Sequence, residues 1–177
     1  MKSLKQNDPV QYSRIYSLGA SRGSSAVTND EIAGPIESSD EWIRQRTGIV
    51  TRVRAPEGQS LMDMAVEASK EAIEKSGIDP SEIDAVILAT ISFPYATPSG
   101  ATMLAAEVGA GDAAAYDISA ACAGYCYGIA QADALIRSGN SKYVLVVGGE
   151  KLSDFISPTD RSISFLLGDG AGAAIVG

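Results

Sequence analysis

The sequence predicts an α/β layered fold, and three features of it do so. Two continuous apolar runs, Asp84–Ile91 and Tyr143–Gly149, suit central strands covered on both faces. Segments with helical spacing alternate with the strand-like ones, the pattern expected of βαβ units. Between the two runs, Asp117-Ile118-Ser119-Ala120-Ala121-Cys122-Ala123-Gly124-Tyr125 takes a thiol through an abrupt change from apolar strand to helix.

The elements follow in order. Residues 1–11 are polar and read as a loose tail, with one domain over residues 12–177. Ser13–Ala20 reads as a first strand and Thr28-Asn29-Asp30-Glu31 as a short helix start. Ser38-Ser39-Asp40-Glu41 has the capping-box pattern and opens a helix to Thr47, which Gly48 ends; Ile49–Val53 is the next strand. Ser60-Leu61-Met62-Asp63 opens a longer helix with a stripe of Leu61, Met62, Ala65, Ala68, Ala72 and Ile73, a Glu71–Lys75 pair, and a stop at Gly77. Ala113–Ile118 reads as a short buried strand, and Ala123–Arg137 as a helix closed by Ser138-Gly139. Gly168-Asp169-Gly170-Ala171-Gly172 lacks G-x-G-x-x-G spacing and leads into an apolar strand, so it reads as a tight turn and not as a dinucleotide loop. That strand, Ala171–Gly177, ends the sequence without a following cap.

Composition narrows the classes. With 177 residues, 45% of them apolar and 20% charged, the chain can bury one real core. A net charge of −8 argues against a general binder of nucleic acid or of anionic membranes. No apolar run is long enough to span a bilayer, and Met1–Gln6 lacks the apolar core of a signal peptide. A cytoplasmic, reduced protein is expected. Its two cysteines, Cys122 and Cys126, are four residues apart, a poor disulfide pair and too few ligands for zinc. Cys126 reads as a core-facing helix residue.

Cys122 is the candidate nucleophile. A cysteine at a helix N-terminus feels the positive end of the macrodipole, which favours thiolate over thiol. Backbone N–H groups there can hold an anion, and the small neighbours let a substrate approach. This is the logic of a nucleophile elbow with sulfur in place of oxygen. The residues alone leave open a second reading, a buried structural cysteine. The chain has no histidine, the usual partner of a thiol nucleophile, so a catalytic Cys122 needs groups from outside this sequence. Trp42 and Arg46 are one helical turn apart; an indole and a guanidinium on one face can sandwich a flat base, although Trp42 alone reads more readily as a half-buried helix residue. The stretch Arg44–Arg54 holds four arginines and no acid, a feature that steers phosphates or is simply a solvated face.

Taken together, Ser38-Ser39-Asp40-Glu41-Trp42-Ile43, Arg46-Thr47-Gly48-Ile49, the Cys122 segment, Pro158-Thr159-Asp160-Arg161 and Gly168-Asp169-Gly170-Ala171-Gly172-Ala173 resemble β-ketoacyl-[acyl-carrier-protein] synthase III, of the thiolase superfamily. The resemblance runs from about Arg14 to the end and implies the first of two α-β-α halves, each a mixed five-stranded sheet with helices. It implies that the second half, with the family's catalytic His and Asn, lies outside this chain. It further implies an acyl-CoA primer that acylates Cys122, condensation with malonyl-acyl-carrier protein, a coenzyme A site with Trp42, Arg46 and Arg161, and a homodimer. No cofactor is implied beyond the coenzyme A thioester, which is substrate. Thr97 stands where acetyl-CoA-preferring members carry a phenylalanine in the primer pocket, so a larger pocket and branched primers are expected. The resemblance also fits a starter-unit ketosynthase or acyltransferase of polyketide or secondary metabolism. A non-catalytic subunit that binds coenzyme A or a carrier is the alternative of another class, and a cysteine hydrolase with its base in trans explains Trp42, Arg46 and Arg161 less well.

Overall fold

The structure, a computed structural model, describes residues 7–177. Seven strands (β1 Ile15–Arg22, β2 Ser25–Thr28, β3 Thr51–Arg54, β4 Ile83–Ala89, β5 Ala114–Ile118, β6 Tyr143–Glu150, β7 Gly170–Val176) and five α-helices (α1 Asn29–Ala33, α2 Asp40–Thr47, α3 Leu61–Ser76, α4 Gly100–Glu107, α5 Gly124–Arg137) build it. Five strands form one mixed sheet in the order β1-β7-β6-β4-β5, and β2 pairs with β3 in a separate ribbon. β4 is parallel to both β5 and β6, whereas β7 is antiparallel to β6 and β1.

The two apolar runs become the central strands. Val86–Leu88 and Val144–Val147 are completely buried, as β-branched and leucine side chains on both faces of an inner strand must be. One face carries α3 and α4: Met64, Ala65, Ala68 and Leu104 pack with Val86, Leu88, Leu145, Val147 and Ile175. On the other face Ala132 and Ile136 of α5 pack with Ile87, Val144 and Val146. The stripe of α3 is the one read from its spacing, with Met64 and Ser69 also buried and Met62 only partly so. Gly48 and Gly77 end their helices at φ 72° and 68°, left-handed conformations that glycine adopts without strain.

Several expectations need correction. β5 is an edge strand with β4 as its one neighbour, so Ala114 is exposed and Ala115–Ile118 are only half-buried. Cys126 is exposed, because the buried positions of α5 are Gly124, Gly128, Ala132 and Ile136, a face that Cys126 does not share. The cap of α2 is Ser39, whose hydroxyl accepts the Trp42 N–H at 3.1 Å, so no capping box forms from Ser38. A box forms instead at Ser60–Asp63, and Thr28 N–H donates to Glu31 at 2.8 Å. Of the tail expected over residues 1–11, residues 1–6 lie outside the described residues, while Asn7 N–H donates to Gly139 O at 2.8 Å.

Candidate active site

The elbow is built by backbone strain and close packing. β5 ends at Ile118, whose carbonyl accepts the Thr90 N–H at 3.1 Å. Ala121 then takes φ 46°, a left-handed conformation unfavourable by about 1–2 kcal/mol for a residue with a Cβ. A 3₁₀ turn over Ala121–Ala123 follows and runs directly into α5. No side chain caps this turn or the helix start. Cys122 stands on the turn exposed within this chain, away from the core side chains. Glycines seat α5 on the sheet: a Cβ at Gly128 would lie 2.8 Å from Val146 Cγ1, and one at Gly124 3.0 Å from Ala89 Cβ.

Cys122 lines a cavity of about 290 Å³ with Ala121, Tyr125, Gly148, Gly149 and Glu150. Gly148 and Gly149 leave room beside the thiol. Burial pushes the Tyr125 phenol above its ordinary value, and the nearby Cys126 adds to this, so the ring meets the cavity uncharged. Glu150 accepts the Ile91 N–H at 2.9 Å and the Thr90 and Ser92 hydroxyls, which fixes the loop after β4 to the end of β6. Asp117 accepts the N–H groups of Gly100 and Ala101 at 2.8 and 2.7 Å and so ties the strand that delivers Cys122 to the start of α4. Neither carboxylate was singled out from the sequence, and only position marked them: Asp117 opens the Cys122 segment and Glu150 closes an apolar run.

Trp42, Arg46 and Arg161 come together. The Arg46 guanidinium carbon lies 4.2 Å from the Trp42 ring centroid, and that of Arg161 lies 5.4 Å from it. Phe165 meets the same indole edge-on, at 5.3 Å between centroids. Trp42 is half-buried and both arginines are exposed, so two cations border an aromatic face open to solvent. Asp40, in the first turn of the same helix, is held below the usual carboxylate range by the Arg44 guanidinium and then by Asn29. The four-arginine stretch is not one electropositive face: Arg44 pairs with Asp40 at 2.6 Å, and Arg52 is buried. Thr97 is exposed in the loop between β4 and α4, and neither it nor the Trp42 cluster lines the Cys122 cavity. Among the described residues no group of three or more His, Cys, Asp or Glu could hold a metal ion, and no helix is long and apolar enough to cross a membrane.

The mixed sheet and the exposed cysteine at a strained strand-to-helix turn define a thiolase-like α/β protein with a candidate nucleophile. Residues 116–177, which contain the Cys122 turn, match the family model described as 3-oxoacyl-[acyl-carrier-protein (ACP)] synthase III. The chain is 60% identical over its whole length to the β-ketoacyl-[acyl-carrier-protein] synthase III of Kocuria rhizophila, of which it covers 50%. It is 54% identical over 94% of its length to that of Tropheryma whipplei, of which it covers 52%. Among solved structures, the priming β-ketosynthase of a polyketide biosynthetic pathway superposes with a TM-score of 0.91 at 41% identity, over all of this chain and 52% of that one. The 3-oxoacyl-[acyl-carrier-protein] synthase III of Aquifex aeolicus gives 0.89 at 41% identity, over 93% of this chain and 53% of that one. The chain is therefore similar to 3-oxoacyl-[acyl-carrier-protein] synthases III, and it spans about half the length of the curated relatives it matches.

Proposed function

We propose that the protein carrying this chain is an acyltransferase that condenses an acyl-CoA primer with malonyl-acyl-carrier protein through an acyl-cysteine at Cys122. The observation that carries this reading is the exposed Cys122 on its strained turn, lining a cavity whose other walls are small or uncharged apart from Glu150. The Cys122 sulfur attacks the thioester carbonyl of the primer, and coenzyme A leaves as its thiol with the proton that Cys122 gave up. Malonyl-acyl-carrier protein then loses carbon dioxide. The resulting carbanion forms a carbon–carbon bond to the acyl carbonyl, and the Cys122 thiolate is the leaving group. Backbone N–H groups at the start of α5 supply one side of the oxyanion site. The chain contains no histidine, so the neutral donors that stabilise the carbanion come from outside this sequence. The second half of the enzyme and a homodimeric partner belong to the same reading, as does a cytoplasmic location. No resident cofactor is needed, since coenzyme A enters as substrate.

Trp42, Arg46 and Arg161 are the groups proposed to hold the adenine and phosphates of coenzyme A: a base slides against the indole, and guanidiniums meet phosphate as bidentate donors. Initiation of fatty-acid synthesis is the leading assignment. Starter-unit condensation in a polyketide pathway is the second, favoured by the 41% identity to a priming β-ketosynthase. The test is to incubate the intact protein with isobutyryl-CoA and malonyl-acyl-carrier protein and weigh the carrier. A β-ketoacyl carrier that disappears with Cys122→Ala supports condensation. An unchanged carrier beside an acylated Cys122 would replace it with simple acyl transfer.

A further inference from the structure

The arginines of the stretch 44–54 divide by direction. Arg44 and Arg46 stay on the exposed side of α2, whereas Arg52 and Arg54, two residues apart on β3 and thus on one face of the strand, turn inward. Arg52 is 7% exposed and donates from Nη2 to the Phe165 carbonyl at 2.9 Å and to Asn29 Oδ1 at 2.6 Å, and from Nη1 to the Val27 carbonyl at 3.2 Å. Arg54 donates to the Ser164 carbonyl at 3.2 Å. Two guanidiniums therefore hold consecutive carbonyls of the segment that brings Phe165 and Arg161 to Trp42. The opposite wall is tied to the same group: Asn29 Nδ2 donates to Asp40 Oδ1 at 2.7 Å, and Asp40 stands in the first turn of the helix that presents Trp42 and Arg46. A buried guanidinium is costly unless its donors are met; here neutral oxygens meet both Nη atoms of Arg52 without a direct carboxylate partner, while its buried Nε has no partner. An apolar side chain would fill this volume without that cost, but it would join neither wall.

We propose that Arg52, assisted by Arg54, is the positioning residue of the Trp42–Arg46–Arg161 cluster, setting the gap between α2 and the 161–165 segment that accepts the nucleotide end of coenzyme A. This assignment rests on the coenzyme A reading above. It predicts a defect confined to substrates that carry the nucleotide.

The experiment compares isobutyryl-CoA with the isobutyryl thioester of N-acetylcysteamine, which lacks the nucleotide, in the intact protein and in Arg52→Lys. The ammonium keeps the charge but cannot span the three oxygens. KM for isobutyryl-CoA is expected to rise about tenfold with kcat within about twofold, while acylation by the short thioester is unchanged. The emission of Trp42, the one tryptophan of the sequence, should shift to the red as its pocket loosens. Equal losses with both thioesters, or an unchanged KM for isobutyryl-CoA, would overturn the assignment. If Arg52→Lys does not fold, Arg54→Gln, which frees only the Ser164 carbonyl, is judged by the same split with a smaller rise in KM. A wild-type protein that used both thioesters with the same KM would remove the coenzyme A reading itself, a result distinct from a wild-type preference for coenzyme A that the variants leave untouched.

Discussion

Arg46 lies across the face of the Trp42 indole, its guanidinium carbon 4.2 Å from the ring centroid, with Arg161 approaching the same ring from a loop more than a hundred residues later in the chain. Neighbouring turns of one helix explain the first contact. The second requires the fold. Replacing Arg161 by alanine removes one cation and leaves the indole and Arg46 in place. KM for an acyl-CoA primer should rise about tenfold, with little change in kcat, because such a contact with phosphate is made equally in ground and transition states. Steady-state kinetics with a saturating second substrate checks this, and a fall in kcat at unchanged KM would count against a binding role.

The seat of α5 makes a stability prediction. Gly128→Ala gains up to about 1 kcal/mol of helix propensity, but its Cβ would stand 2.8 Å from Cγ1 of Val146, a β-branched side chain with no exposed surface and few rotamers. Overpacking of this kind costs about 1–3 kcal/mol and outweighs the propensity gain. A lower midpoint of denaturant unfolding is expected, and a higher one would mean that the helix can move away from the sheet.

How much of this was legible beforehand depended on whether the signal was local. Glycine after the last helical residue marked the ends of α2 and α3, because a left-handed C′ residue is a local requirement. Continuous Val/Leu runs marked β4 and β6, because their burial follows from their own composition. The place of β5 at the sheet edge did not follow from Ala114–Ile118, since strand order is set by crossovers and not by the strand itself. The short elements β2 and α4 gave no period to read: half of Gly100–Glu107 is glycine or alanine, and the helix is held at its start by Ser99 and Asp117. For the site, Cys122, Trp42 and Arg46 stood out through spacing. Arg52 and Asn29 did not, because what distinguishes a buried arginine from a surface one is the set of carbonyls that the rest of the chain brings to it.

Acid should loosen the α1–α2 junction. Asp40 is held below the usual carboxylate range by Arg44 first and Asn29 second, so its contribution to stability is present above its unfolded-state value and is lost as pH falls through the lower folded-state value. The window lies below about pH 4. Trp42, two residues along α2, reports on it: its emission should change there in wild type, and in Asp40→Asn the change should be absent. A titration that is the same in both proteins would assign the transition to other carboxylates.

Thr97 is expected to govern the primer. Its side chain is small and exposed within this chain, in the loop that Asp117 anchors at Gly100 and Ala101. If a partner subunit closes that loop over the acyl group, Thr97→Phe should narrow the pocket and shift preference from isobutyryl-CoA to acetyl-CoA by about tenfold or more, the discrimination that one or two methylene-sized changes provide. Competition between the two primers measures it, and unchanged use of the branched primer by the variant would remove Thr97 from the pocket.

The central claim is that Cys122 takes an acyl group from a coenzyme A thioester, and both cysteines of the chain are exposed, so the alternative site is present in the same molecule. The most direct measurement is the mass of the intact protein after incubation with isobutyryl-CoA, followed by peptide mapping. One added isobutyryl group on the peptide at Cys122, absent in Cys122→Ala and retained in Cys126→Ala, is the predicted result. No adduct, or an adduct that persists in Cys122→Ala and maps to Cys126, would contradict the account.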